Sequence, residues 1–172
     1  MTRPIWLLAA LVLCTPALAT PLGQLKLPRL SHLSAKAVDH TDISIPGFVF
    51  RMMATADDGD EAARQTLAHL RKIEIHSYTF DSDQAYSAGD VEALRQQLQG
   101  KEWSPVVHTH DAKDGEHADI YLCFEEKDAC GLAILVTAPR ELTVVNLVGR
   151  VPLEQVEAIG RELHVNTGSR GH

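Results

Sequence analysis

No run of this 172-residue sequence is apolar for long enough to cross a bilayer, no stretch is rich in lysine and arginine, and no C-x-x-C occurs. Each absence closes a class of function. A spanning helix needs about 20 predominantly apolar residues. Sixteen Lys and Arg stand against 23 Asp and Glu, a formal charge of −7, so the chain repels phosphate backbones and nucleic acid is excluded as a partner. Thioredoxin-like chemistry goes with the missing C-x-x-C. Neither G-x-G-x-x-G nor G-x-x-x-x-G-K-[ST] is present, which removes nucleotide cofactors, and no other cofactor is expected. No G-x-S-x-G presents a nucleophile, and Ser77, Ser82 and Ser87 have no motif around them. With no internal repeat and no low-complexity linker, one domain is the simplest parse.

What is present is an ordinary globular balance, 45% hydrophobic and 23% charged, in a chain long enough for one core. The first nineteen residues, MTRPIWLLAALVLCTPALA, read as a secretory signal peptide: Arg3, an apolar stretch from Ile5 to Leu13, then small residues at Ala17 and Ala19. Cleavage after Ala19 leaves 153 residues (172 − 19) at −8, since Arg3 departs with the leader. The alternative is a lipoprotein acylated at Cys14, where Leu13 is larger than the residue such a signal prefers. Export places the remaining Cys123 and Cys130 in an oxidising compartment, where a pair is more naturally a disulfide than a redox centre.

Residues 20–29 carry two prolines and a glycine and read as a loose lead-in to a domain over 30–165; the tail 166–172 reads as disordered. Leu30, Leu33 and Ala37 share a helical face. Ile43 and Ile45 look extended, and Pro46 suits the start of an apolar helix, PGFVFRMMA, more fit for a core than for a lipid surface because Arg51 is its one cation. A helix capped by Asp60 places Ala63, Leu67 and Leu70 inward. IEIHSYTF alternates as a strand, and Ser87 with Asp90 forms a capping-box-like start to a helix lined by Val91, Leu94 and Leu98 that ends at Gly100. WSPVVHTH follows, its Pro105 marking an edge. Strand, helix, strand within about thirty residues reads as a βαβ unit with parallel strands. ADIYLCFEE, GLAILVTA and ELTVVNLVG then form an antiparallel meander, and a last helix starts near Pro152 with Leu153, Val156 and Ile159 inward. The fold class expected is α+β: a mixed five-stranded sheet flanked by helices.

Register follows from the turns. Pro139 and Arg140 as turn residues set Ala133 opposite Asn146; Glu126 and Lys127 set Cys123 opposite Cys130 and Ile120 opposite Ala133. One face then carries Ile120, Leu122, Phe124, Ala133, Leu135, Leu142, Val144, Asn146 and Val148, and the other Tyr121, Leu132, Ile134, Val136, Val145 and Leu147. Both faces are apolar, so each must be covered, by helices or by a partner. Asn146 stands among aliphatic residues, where an amide either bonds backbone packed over the sheet or orients a ligand in a recess left by Ala133 and Gly131.

Other constellations are sparse. HTHDAKDGEH brings His108, His110 and His117 near carboxylates, a set that can bind zinc or copper, or a solvated acidic hairpin. Asp81 and Asp83 suit a capped strand-to-helix loop, and Arg140 with Glu141 a local turn pair.

APRELTVVNLVG, with DIYLCFEEKDACGLAILVT and IHSYTFDSDQAYSAGDVEALRQQLQGKEWSPVV before it, resembles the Domain of Unknown Function 4252 family of exported bacterial proteins, from about Leu30 to Leu163 and most specifically over Pro139 to Gly149. The resemblance implies a periplasmic or outer-surface protein of a Gram-negative bacterium and carries no site residues. The chain departs from the family pattern in its paired cysteines and in the histidines around residue 108. The function expected is non-enzymatic protein–protein contact in the envelope, with an envelope protein or a second copy as partner. A small-ligand or lipid-binding module at Asn146, Ala133 and Gly131 is the alternative, and a metal-dependent hydrolase using His108, His110 and His117 a third.

Overall fold

The computed structural model describes residues 21–27, 30–56, 61–83, 85–126 and 128–150. The leader with Cys14, the Asp60 cap, the helix expected near Pro152 and the tail lie outside the described residues.

The elements are, in order, α1 (Ser31–Ser34), β1 (Asp39–Pro46), α2 (Gly47–Ala56), α3 (Glu61–His69), β2 (Leu70–Thr79), α4 (Ala88–Gln97), β3 (Trp103–Asp111), β4 (Glu116–Glu125), β5 (Asp128–Ala138) and β6 (Glu141–Gly149). All six strands join one sheet in the order β1-β2-β6-β5-β4-β3, and every neighbouring pair is antiparallel. The five-stranded mixed sheet is therefore corrected in two ways. Ile43 and Ile45 belong to a full strand, which Pro46 closes rather than opening a helix, and α3 ends before Leu70, the first residue of β2. The second correction concerns α4. β2 and β3 do run in the same direction, but the connection through α4 carries the chain across the whole sheet, and β6, β5 and β4 fill the space between them. Two-residue turns keep β4, β5 and β6 adjacent, so the meander can only reach β2 with its last strand.

α4 starts where its sequence says it should. The Ser87 side chain accepts from the Asp90 amide and the Asp90 carboxylate accepts from the Ser87 amide, a capping box. Burial alone would raise the Asp90 carboxyl; the Ser87 backbone and hydroxyl, with His32 and Lys36 nearby, outweigh it and hold the group below its ordinary value. Ser87→Ala should cost about 1 kcal/mol in a denaturant titration.

The core lies on one face of the sheet. Leu33 of α1, Val91 and Leu94 of α4, the adjoining Leu98, and Leu25 and Leu27 of the lead-in pack on Tyr78, Cys123, Ala133, Leu135, Leu142 and Val144. The opposite face has its own cluster, Ile120, Leu122 and Leu132 with Val107, Phe124, Ile134 and Leu147, drawn among the described residues from strands alone. Ile120, Leu122 and Phe124 thus sit on the face opposite to the one expected. The turn is where the sequence puts it, since Glu125 faces Asp128 and Phe124 faces Ala129, but the ladder slips by one residue before Cys123, which faces Gly131. Cys130 is the extra residue of that bulge. Because side chains alternate with a period of two, one inserted residue sends the rest of β4 to the other side, and Ile120 meets Ile134 instead of Ala133. Beyond the next turn no bulge intervenes, and Ala133 faces Asn146 as expected.

Candidate interaction surface

A sheet edge is a row of unpaired backbone donors and acceptors that invites another strand unless something blunts it. The two edges here differ. β3 contains Pro105, and its ladder is broken between Pro105 and Val107, leaving Val106 pointing outward. β1 pairs with β2 through eight consecutive residues with no register shift, and its outer side has no neighbour among the described residues. Its one proline, Pro46, is its last residue.

The rows running across the sheet reach β1 unfinished. On the face away from the lead-in, one row is Val107, Ile120, Ile134, Val145, Ile75 and Ile43; the next is Ser104, Leu122, Leu132, Leu147, Ile73 and Ile45. β-branched and leucine side chains stacked this way stabilise a sheet through cross-strand contact. At the β1 end both rows stop at isoleucine, and Ile43 is exposed.

α2 continues from that end. It buries Gly47 and Phe50, and Gly47 must be glycine because a Cβ there would lie 2.7 Å from the Arg71 carbonyl oxygen. Val49 and Ala54 are half-buried, and three large apolar side chains face outward: Phe48, Met52 and Met53 are 55, 65 and 52% exposed. Phe48 and Met52 share a face at i and i+4. The expectation of a core helix is thus corrected: α2 is anchored by one stripe and presents a second to solvent. Val38, at the other end of β1, is also exposed.

Asn146 is fully buried, and its amide is taken up by the lead-in. Oδ1 accepts from the Leu25 amide at 2.9 Å, and Nδ2 donates to the Gly23 carbonyl at 2.8 Å and to that of Leu132 at 3.4 Å. The recess beside Ala133 and Gly131 holds the chain itself: a Cβ on Gly131 would sit 3.3 Å from Gly23 Cα, and Gly23 takes φ +81° to fit. Gln97 holds the next residue, accepting from the Lys26 amide at 2.7 Å and donating to its carbonyl at 3.2 Å. Residues 21–27 are a strap fixed by two carboxamides, not a loose lead-in.

Cys123 and Cys130 form a disulfide. The rings of His110 and His117 stack with centroids 4.2 Å apart, while His108 turns to Asp119, which Arg95 of α4 also contacts at 3.2 Å. Among the described residues no group of three or more His, Cys, Asp or Glu is placed to hold a metal ion. Asp83 accepts from Arg140 Nε at 2.6 Å, so that arginine pairs across the loop rather than with Glu141, at an exposed site where such a bond adds little.

One arrangement had no signal in the sequence. Asp42 of β1 lies opposite His76 of β2 and accepts from its Nδ1 at 2.6 Å, and the Tyr78 hydroxyl donates to the same oxygen at 3.4 Å. Burial, and then the Asp42 charge, push the Tyr78 phenol above its ordinary value. His76 Nε2 is shut from solvent without a hydrogen-bond partner among the described residues. The group borders a cleft of about 540 Å³ between strap, α1, β1 and β2. Asp42 lies 34 and 36 residues from His76 and Tyr78, and only the β1–β2 register brings it to them.

Residues 35–159 match the model of a family described as domain of unknown function (DUF4252), and the chain belongs to that family. The match takes in all six strands and α2 to α4, and starts after the strap and α1. No curated protein and no solved structure matches the chain.

Proposed function

We propose that this protein is exported to the cell envelope and works there, without catalysis, by protein–protein contact through the corner formed by β1 and α2. One observation carries the reading: three large apolar side chains of a ten-residue helix, Phe48, Met52 and Met53, stand exposed beside a regular edge strand. Exposed apolar residues grouped in this way favour an interaction site over chance scatter. A partner protein fits better than a lipid surface, since Arg51 is the sole cation of the helix and lipid headgroups favour a basic flank. No described helix is long and apolar enough to cross a membrane.

Met52→Glu combined with Phe48→Ser is expected to abolish capture of the partner from envelope extracts while leaving the thermal midpoint within about 2 °C of the parent, because surface changes usually move stability by less than about 0.5 kcal/mol. Retained capture would remove the corner from consideration. Export has its own check: the intact mass of protein recovered from the periplasm should lack residues 1–19, and an acylated Cys14 would show instead as a lipid adduct.

A small-ligand reading keeps one foothold, the cleft beside His76 and Asp42, where a buried imidazole nitrogen has no partner among the described residues. Native mass spectrometry of protein as isolated tests it. A bound small molecule lost in His76→Phe would favour it, and a bare chain would count against it.

A further inference from the structure

We infer that β1 recognises its partner by strand addition, and that the added segment is an extended stretch with aliphatic residues at alternate positions and lysine or arginine between them. The inference rests on the contact reading above and specifies how that contact is made.

Three observations converge on it. The outer side of β1 is regular over Asp39–Pro46, so a continuous ladder can form. The aliphatic rows end at Ile43 and Ile45, and a seventh strand would extend both by placing apolar side chains beside those two. On the opposite face β1 offers His40, Asp42 and Ser44, while Asp39 places a second carboxylate near the start of the isoleucine face. The Asp42 side chain is 46% exposed, and among the described residues His76 and Tyr78 engage only one of its two oxygens. Opposite charges set across neighbouring strands attract and like charges repel. A basic residue facing Asp42 is therefore favoured, an acidic one rejected. The same charge disfavours a second copy, since each chain carries −7 and brings its own Asp39 and Asp42 to the edge. Strand addition of this kind takes affinity from main-chain hydrogen bonds and specificity from alternate side chains. Phe48, two residues beyond the strand, lies where a segment running past Pro46 would meet α2.

The test uses the purified chain and synthetic peptides in which valine alternates with lysine, compared with a glutamate-for-lysine version and a block-ordered version of the same composition. Binding of the Val-Lys peptide should shift the amide signals of residues 38–45 and slow hydrogen exchange at alternate residues of β1. The Glu version should bind roughly fivefold more weakly or worse, and the block version not at all. N-methylation on one set of alternate peptide amides should abolish binding while methylation on the other set spares it, because only one edge of the peptide faces β1. Equal binding by both methylated forms, or shifts confined to α2, overturns strand addition. Protection of residues 38–45 by self-association at rising concentration, with no peptide effect, overturns it in favour of a second copy. Partner capture that depends on Phe48 and Met52 while no peptide binds would leave the contact reading standing and this inference refuted. Peptide binding without any envelope partner would do the reverse.

Discussion

Asn146→Leu is expected to lower stability by about 3 kcal/mol, enough to move the thermal midpoint down by roughly 6–12 °C. Leucine has the same branched skeleton and greater bulk, so none of the loss comes from a cavity. It comes from the strap. The Leu25 amide and the Gly23 carbonyl lose partners in a place water does not reach, and an unsatisfied buried group costs about 1–3 kcal/mol. If the strap lifts to let them reach water, Leu25 and Leu27 leave the core with it. Either route weakens the fold. Exchange at the Leu25 amide separates this account from a general loss of packing: it should accelerate in the variant by more than the global destabilisation explains. A change below about 0.5 kcal/mol would place Asn146 in the class of neutral substitutions and leave the strap held by something else.

Removing the disulfide, as Cys123→Ala with Cys130→Ala, should cost about 2.5 kcal/mol from the freed entropy of the short loop it closes. The consequence extends past that figure. Cys130 is the extra residue of the bulge that fixes which side of β4 faces the core, and the cross-link holds that residue beside Cys123. Without it the β4–β5 hairpin loses its register pin, and a slip of one residue would turn Tyr121 and Cys123 away from the core and bring Ile120 and Leu122 into it. Faster amide exchange confined to β4 and β5, measured in the double variant or under reductant, is the expected signature. Uniform loss across all six strands would mean that the bond acts on the unfolded chain alone.

These two sites mark the limits of what the sequence discloses. The alternation in β4, β5 and β6 revealed three strands and their turns, and Pro139 and Arg140 set the β5–β6 register directly, so Ala133 was placed opposite Asn146. β4 went to the wrong face because nothing local in LCFEEKDAC distinguishes a plain hairpin from one carrying a bulge, and one residue is all that parity needs. The capping box of α4 was legible since both partners lie within one turn. The position of β3 was not. A strand, a helix and a strand look alike whether the helix returns to the next position or crosses the sheet, and long-range pairing of β2 with β6 decided it. Asn146 stands out among its aliphatic neighbours, but its partners, 121 and 123 residues away in the strap, lie beyond any periodicity. The exposed ridge on α2 was hidden in another way. GFVFRMMA is apolar on nearly all sides, which reads as buried until the structure shows that only Gly47 and Phe50 are fully covered and that Phe48, Met52 and Met53 stand exposed.

The contact corner can be tested against the opposite edge of the same molecule. A photo-crosslinking amino acid placed singly at Val38 or Phe48, flanking β1, and at Val106, on the broken β3 edge, reports on surfaces of similar exposure. In cells expressing the chain, illumination should yield one discrete adduct from positions 38 and 48 and none from 106. Adducts from 106 alone, or the same adduct from all three positions, would contradict the assignment of partner contact to β1 and α2.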